Sequence, residues 1–181
     1  MILIDPELEP EPAPRANGGR KSGLLAQSAQ ARNTALPSTV SLSRFLRLAQ
    51  SAVRLRGEVN VLLTSDAQVR RLNRTYRGKN KATDVLSFPA AGPAADGIAG
   101  DLAISVPTAA AQAKVQGNSL SAEIKILILH GLLHLAGYDH ETDTGQMARR
   151  ECLLRARLRL PVGLIERTEE QKVIRRTKVH A

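Results

Sequence analysis

Three of the four histidines in this chain fall inside one short segment, His130-Gly-Leu-Leu-His134-Leu-Ala-Gly-Tyr-Asp-His140. On a helix, His130 and His134 stand one turn apart on the same face. Two imidazoles so placed take adjacent corners of a tetrahedral metal site. Gly137 can adopt the left-handed backbone that ends a helix, and the chain then turns so that His140 folds back to the same point. Three neutral imidazoles with one position left open form the donor set of a catalytic zinc centre, whereas structural zinc sites close all four corners. Nickel, copper and iron also accept imidazole. The plainer alternative is two buried, hydrogen-bonded histidines and one on the surface. It leaves unexplained why two polar rings share one face of an otherwise aliphatic helix. The sequence therefore predicts one metal ion per chain, Zn2+, held by His130, His134 and His140. His180 stands far from this group.

The spacing His-x-x-x-His-x-x-Gly-x-x-His is also that of the metzincin proteases. Those enzymes carry Glu directly after the first histidine, as general base for water attack on the peptide. Here that position is Gly131, so a protease reading lacks its base.

The net charge of +9 and pI near 10.4 point to a polyanionic partner: nucleic acid, ribosome or anionic lipid. The basic residues cluster. Arg54, Arg56, Arg70, Arg71, Arg74, Arg77, Lys79 and Lys81 face only Glu58 and Asp66 over that stretch, and Arg149, Arg150, Arg155, Arg157 and Arg159 form a second group. Solvated helix faces would account for either group alone. Aromatic residues are only Phe45, Tyr76, Phe88 and Tyr138, which argues against a base-stacking platform and for recognition through phosphate and shape. Cys152 is the one cysteine, so no disulfide partner exists within the chain; it reads as a small buried apolar side chain. Met1-Ile2-Leu3-Ile4 is too short for a secretory signal. The most apolar stretch, Ile124 to Ala136, is broken by Lys125, His130 and His134 and falls short of the roughly 20 residues that span a bilayer. A soluble, cytoplasmic protein with no membrane association is expected.

These residues need a scaffold, and the patterning supplies one. Residues 1–5 can form a first strand. Residues 6–38, rich in Pro, Gly, Ala and Ser, read as a flexible insertion. Residues 39–160 carry the sustained periodicity of a single domain, and residues 161–181 form a charged tail. Val40, Leu42, Phe45, Leu46, Ala49 and Val53 recur at helical spacing, with Gly57 ending that helix. Val59 to Leu63 reads as a strand. Ser65 or Asp66 can cap a helix bearing Val69, Leu72 and Tyr76. After a polar loop, Gly78 to Ala82, come a strand from Val85 to Phe88 stopped by Pro89, a loop from Ala90 to Ala99, and a strand from Leu102 to Val106. Thr108 to Gln116 reads as a short helix closed by Gly117. Ser119 or Ser121 can cap the helix from Ile124 to Leu135, which is apolar almost all round and hence central and buried. Asp143 can cap a last helix from Gln146 to Leu158. The expected fold is α/β (α+β): a small mixed sheet packed against helices, with a central buried helix carrying the metal-binding histidines.

The histidine segment closely resembles the YbeY family of bacterial ribosomal-RNA maturation factors, a family of metal-dependent endoribonucleases. Two further segments carry the likeness: Leu72-Asn73-Arg74-Thr75-Tyr76-Arg77-Gly78-Lys79 leading into Thr83-Asp84-Val85-Leu86-Ser87-Phe88-Pro89, and Gly100-Asp101-Leu102-Ala103-Ile104-Ser105. Their order and spacing run from about Glu58 to Leu160. The resemblance implies that His130, His134 and His140 are the zinc ligands and that Arg77 is a functional cation at the cleft, a candidate phosphate clamp. Arg74 and Lys79 beside it are candidate substrate contacts. It further implies single-strand-specific cleavage, a role at the 3′ end of 16S ribosomal RNA and in ribosome quality control, ribosomal RNA and the small ribosomal subunit as partners, and the cytoplasm. Asn80 and Ala82 stand where the family often has Asp and Pro, which makes this loop less acidic and less rigid.

Zinc can lower the pKa of bound water to about 7 and polarise a phosphoryl oxygen. RNA brings its own nucleophile, the 2′-hydroxyl, so either that group or activated water can attack. Asp84, Asp101, Asp139 and Glu141 are the candidate general bases. Asp139 and Glu141 could equally orient a histidine, and Asp84 and Asp101 could be turn residues. Tyr138 is placed to pack beside the site. Two other readings are a zinc-containing ribosome-assembly or RNA-binding factor without activity, and a metal-dependent hydrolase of another substrate.

Overall fold

Ser38, Ser65, Ser105 and Ser119 each open a helix. Their hydroxyls accept from the backbone N–H groups of Ser41, Gln68, Thr108 and Ala122 at 3.3, 3.4, 3.2 and 3.1 Å. A cap of this kind is worth about 1 kcal/mol. The computed structural model describes residues 1–8, 36–90, 97–140 and 142–161. Its elements follow the predicted order: β1 (Ile2–Ile4), α1 (Thr39–Val53), β2 (Glu58–Thr64), α2 (Asp66–Arg77), β3 (Val85–Pro89), β4 (Ile98–Ser105), α3 (Val106–Gln116), α4 (Leu120–Leu135) and α5 (Gln146–Leu158). A 3-10 turn, Pro6–Leu8, follows β1. The rest of the expected insertion, apart from 36–38, and the expected tail beyond 161 lie outside the described residues.

The sheet is mixed, in the order β1-β2-β4-β3. β1 and β4 run parallel to β2, with Ile2 opposite Val61 and Val61 opposite Leu102; β3 runs antiparallel to β4, with Ser87 opposite Leu102 and Phe88 opposite Asp101. Side chains alternate across β4. Leu102 meets α4 at Gly131, while Ala103 turns the other way to pack with Val69 of α2 and Leu86 of β3. The main core fills the space between α1, α4 and the sheet, built on Leu42, Leu63, Ile104, Ile124, Leu127 and Leu132, all fully buried. Each such side chain contributes about 1.5–3 kcal/mol of burial. α4 is buried from Ile126 to Leu133 without interruption, as its aliphatic pattern requires.

The structure corrects several boundaries. α1 is closed by Arg54, a non-glycine residue at φ 67°, and not by Gly57. Gly57, at φ +98°, lies at the entry to β2, where a Cβ would come within 2.9 Å of the Ala99 nitrogen. β4 begins at Ile98, inside the stretch expected to be a loop, because the register slips between Glu58 and Val59 and so breaks the alternation a strand shows in sequence. Pro89 is the last residue of β3 rather than the first beyond it; β3 is an edge strand, where a missing N–H costs no ladder bond. Of the alternatives for the α4 cap, Ser119 and not Ser121 is used. Cys152 is exposed rather than buried, because α5 turns Met147, Glu151, Leu154 and Arg155 inward and leaves Cys152 outside. The same turn buries Arg155, which therefore does not join the exposed basic group.

Candidate metal centre

α4 ends where the metal segment needs it to. Gly137, at φ +88°, donates to the His134 carbonyl at 2.9 Å, and Tyr138 N–H donates to the Leu133 carbonyl at 3.0 Å. The reversal swings Asp139 and His140 back beside the helix. The loop beyond is held by its own backbone, with Thr142 and Asp143 N–H donating to the Asp139 carbonyl at 3.2 and 3.0 Å. Asp143 accepts from the N–H groups of Gly145 and Met147, both at 2.7 Å, and so braces the first turn of α5 from two residues before Gly145, which takes the cap position itself.

The three histidines converge. Ring centroids lie 4.8 Å apart for His130 and His134, and 5.4 Å from each to His140. One nitrogen of each ring lies within 4.8 Å of the others, a spacing able to hold a metal ion. The Nε2 atoms of His130 and His134 are 3.2 Å apart. Bonds of about 2.05 Å from a zinc ion to two tetrahedral nitrogens set those nitrogens about 3.3 Å apart, so this pair fits such an ion without rearrangement. Burial holds His134 well below its ordinary 6.5, at about 4, helped by the nearby His130 and His140 and opposed by Asp139. The neutral imidazole that a metal requires is thus the resting form at neutral pH.

Behind the first histidine stands a residue that no motif singled out. Glu151 of α5 places Oε2 3.0 Å from His130 Nδ1, and both side chains are buried. Its other oxygen, Oε1, lies 3.9 Å from an Arg155 guanidinium nitrogen. The sequence offers only a weak cue to it: Glu151 is the only acid in Gln146–Leu158, and it shares a helix face with Met147 and Leu154, but nothing in the pattern names its partner.

The other candidates divide. Asp84 accepts from its neighbour Val85 N–H at 2.8 Å, from the Thr83 hydroxyl at 3.1 Å and from Gln112 of α3 at 3.0 Å, the bonding of a structural turn residue. Asp101 accepts from Asn60 at 3.0 Å. By the alternation of β4 it points to the face of the sheet away from α4. Asp139 lies close enough to His134 to act on its charge, and the Thr142 hydroxyl donates to its carboxylate at 3.1 Å. Glu141 lies outside the described residues. Tyr138 is half-buried against the main core. Arg74, Arg77 and Lys79 are exposed, at and just beyond the end of α2. α2 covers the opposite face of the sheet from α4, yet both helices finish at the same end of the β3–β4 pair. Tyr76 packs edge-on against Phe88 at 5.2 Å between centroids, and Leu135 presses on Gly100, where a Cβ would meet it at 2.8 Å. The loop after α2 is tied back by Asn73, whose side chain donates to the Lys81 carbonyl at 2.7 Å.

A helix-borne histidine pair closed by a third after a glycine turn, on a mixed α+β sheet, defines a metal-binding hydrolase-like centre. Comparison with known proteins agrees. The family model described as endoribonuclease YbeY matches residues 27–158. A relative named endoribonuclease YbeY from Koribacter versatilis is 53% identical over 143 residues, covering 78% of this chain and 92% of that one. Another of the same name, from Solibacter usitatus, is 51% identical over 129 residues, covering 71% and 85%. A solution structure from Thermotoga maritima shares 28% identity over 64% of this chain and 80% of that one, with a TM-score of 0.45. The chain belongs to the endoribonuclease YbeY family, a family of RNA-cutting hydrolases.

Proposed function

We propose that this protein is a zinc-dependent, single-strand-specific endoribonuclease that acts in 3′-end maturation of 16S ribosomal RNA and in ribosome quality control, in the cytoplasm. The convergence of His130, His134 and His140 carries the reading. The net charge of +9 supports a polyanionic substrate, and the family supports RNA. Among the described residues no helix is long and apolar enough to cross a membrane.

When bound, zinc supplies a Lewis acid beside the scissile phosphate and lowers the pKa of water. The protein's own residues do the rest. His130, His134 and His140 would hold the ion. Arg77, at the end of the β3–β4 pair where α4 also finishes, binds a phosphate and offsets charge gained in the transition state. Arg74 and Lys79, exposed at and just beyond the end of α2, offer further contacts to the same RNA backbone. Asp139, beside His134, is placed to accept a proton from the attacking group or to steady the histidine. A peptidase reading has no support: the position of its base, Gly131, faces Leu102 of β4.

The test compares the wild-type protein with His134→Ala on a small-subunit RNA fragment, measuring zinc content and cleavage together. One zinc per chain and cleavage in the wild type, with both lost in the variant, is the expected result. Cleavage that survives loss of the metal would refute it. A wild type that holds zinc and binds RNA but never cuts would instead indicate an assembly factor. Product ends then separate the two attacks: a 2′,3′-cyclic phosphate marks the 2′-hydroxyl, and a 5′-phosphate with a free 3′-hydroxyl marks water.

A further inference from the structure

We infer that Glu151 is a positioning residue of the metal centre, acting through His130, and that Arg155 holds its carboxylate in place. This rests on the reading of the three histidines as metal ligands. Glu151 is 1% exposed and Arg155 2%. Burying a carboxylate and a guanidinium costs several kcal/mol for each unless partners answer them, and the two oxygens of Glu151 divide between two such partners. Oε2 meets His130 Nδ1 at 3.0 Å; Oε1 faces Arg155 Nη1 at 3.9 Å, an ion-pair distance.

A carboxylate oxygen facing Nδ1 at 3.0 Å favours the His130 tautomer that carries its proton on that nitrogen. The lone pair is then on Nε2, the atom that lies 3.2 Å from His134 Nε2. Without the carboxylate, the ring is free to turn or to take the other tautomer, whose protonated Nε2 cannot ligate. A carboxylate at the far nitrogen also makes the imidazole a better donor. Arg155, four residues on in α5, lies at ion-pair distance from the second carboxylate oxygen and keeps the group aligned. His130 and Glu151 lie on different helices, α4 and α5. The register between these helices is therefore part of the metal site.

The experiment uses the full chain without RNA. Zinc affinity is measured by competition with a chromophoric chelator for wild type, Glu151→Gln, Glu151→Asp and Leu154→Ala. The tautomer of His130 in the zinc-free protein is read from its ring 15N shifts. Glu151→Gln is expected to bind zinc 10- to 100-fold more weakly and to lose the pure Nδ1–H tautomer, while Glu151→Asp recovers part of the affinity. Leu154→Ala empties core on the same helix face; it should lower the melting temperature and leave zinc affinity unchanged. Wild-type affinity in Glu151→Gln would overturn the inference, and so would an equal loss in Leu154→Ala, which would reduce Glu151 to packing. Should Glu151→Gln fail to fold, the wild-type spectrum alone decides, because His130 found protonated on Nε2 refutes the role. A protein that binds zinc but never cuts RNA would sink the nuclease reading and leave this one standing.

Discussion

Gly131 sits so close to Leu102 that a Cβ on it would stand 2.6 Å from the leucine Cδ2. The missing side chain lets α4 settle onto β4 one residue after His130, with the Ser87 hydroxyl 3.5 Å from the Gly131 carbonyl on the neighbouring strand. The glycine that removes a protease base is thus demanded by packing. Leu102 is itself 1% exposed, so any shift of its side chain has to be taken up inside the core. Gly131→Ala gains about 1 kcal/mol of helix propensity but overpacks the core at a cost of about 1–3 kcal/mol. A net loss of stability is expected in urea unfolding, together with weaker zinc binding as α4 lifts. A variant more stable than wild type would show that the sheet yields. Gly131→Glu should fail to fold, not acquire peptidase activity.

Asp66 ties the start of α2 to the start of α3, accepting from the Ser105 hydroxyl and from the Thr108 hydroxyl at 2.7 Å. The Ser105 bond first, then Thr108, holds its carboxyl below the ordinary 3.8, against a smaller opposing effect of burial. A group whose pKa is lower folded than unfolded stabilises the fold at pH values above the unfolded pKa. That contribution is lost as pH falls through the folded value. Asp66→Asn should therefore cost about 1 kcal/mol at neutral pH. The gap to wild type should close below pH 3.8. Urea midpoints of both proteins across an acid series measure this, and a gap that stays constant into strong acid would refute it.

Most of the fold was legible because this chain writes its signals locally. Ser65 and Ser119 mark helix starts, and the unbroken aliphatic run of α4 marks the buried centre. What stayed hidden depends on partners distant in sequence. The start of β4 at Ile98 is masked by a bulge whose reason is the strand beside it. Arg54 takes a left-handed conformation that sequence assigns to Gly57. In the site, His130, His134 and His140 were readable as a spacing. Glu151 was not, because its meaning lies in a contact across 21 residues, between two helices whose register only packing sets. The same holds for Asp84, a candidate base by motif that proves to be bound by Thr83, Val85 and Gln112.

Arg77 is exposed, so replacing it should leave the fold within about 0.5 kcal/mol of wild type. As a phosphate contact it should nonetheless matter to cleavage. Arg77→Ala is expected to keep full zinc content, to lose roughly 100-fold in cleavage rate, and to bind single-stranded RNA with a salt slope shallower by about 0.7. Cleavage and binding titrations at several salt concentrations test this. Unchanged cleavage would leave Arg77 a solvated helix-end charge and remove it from the site.

Zinc should stabilise this protein in proportion to its occupancy, since the three ligands exist as a cluster only in the folded chain. His130 and His134 come from α4, but His140 comes from the loop after Gly137, so an ion bridges helix and loop. A ligand that binds only the folded state adds RT ln(1 + [L]/Kd), about 2.7 kcal/mol at a free concentration 100 times Kd. The melting temperature of wild type should rise steadily with added zinc and fall on chelation. That of His134→Ala should respond to neither. His140→Ala should keep two donors and show a smaller rise that needs more metal. If His134→Ala were stabilised by zinc as strongly as wild type, the ion would be binding elsewhere on the chain, and the three histidines would have to be read as hydrogen-bonded partners of Glu151 and of one another.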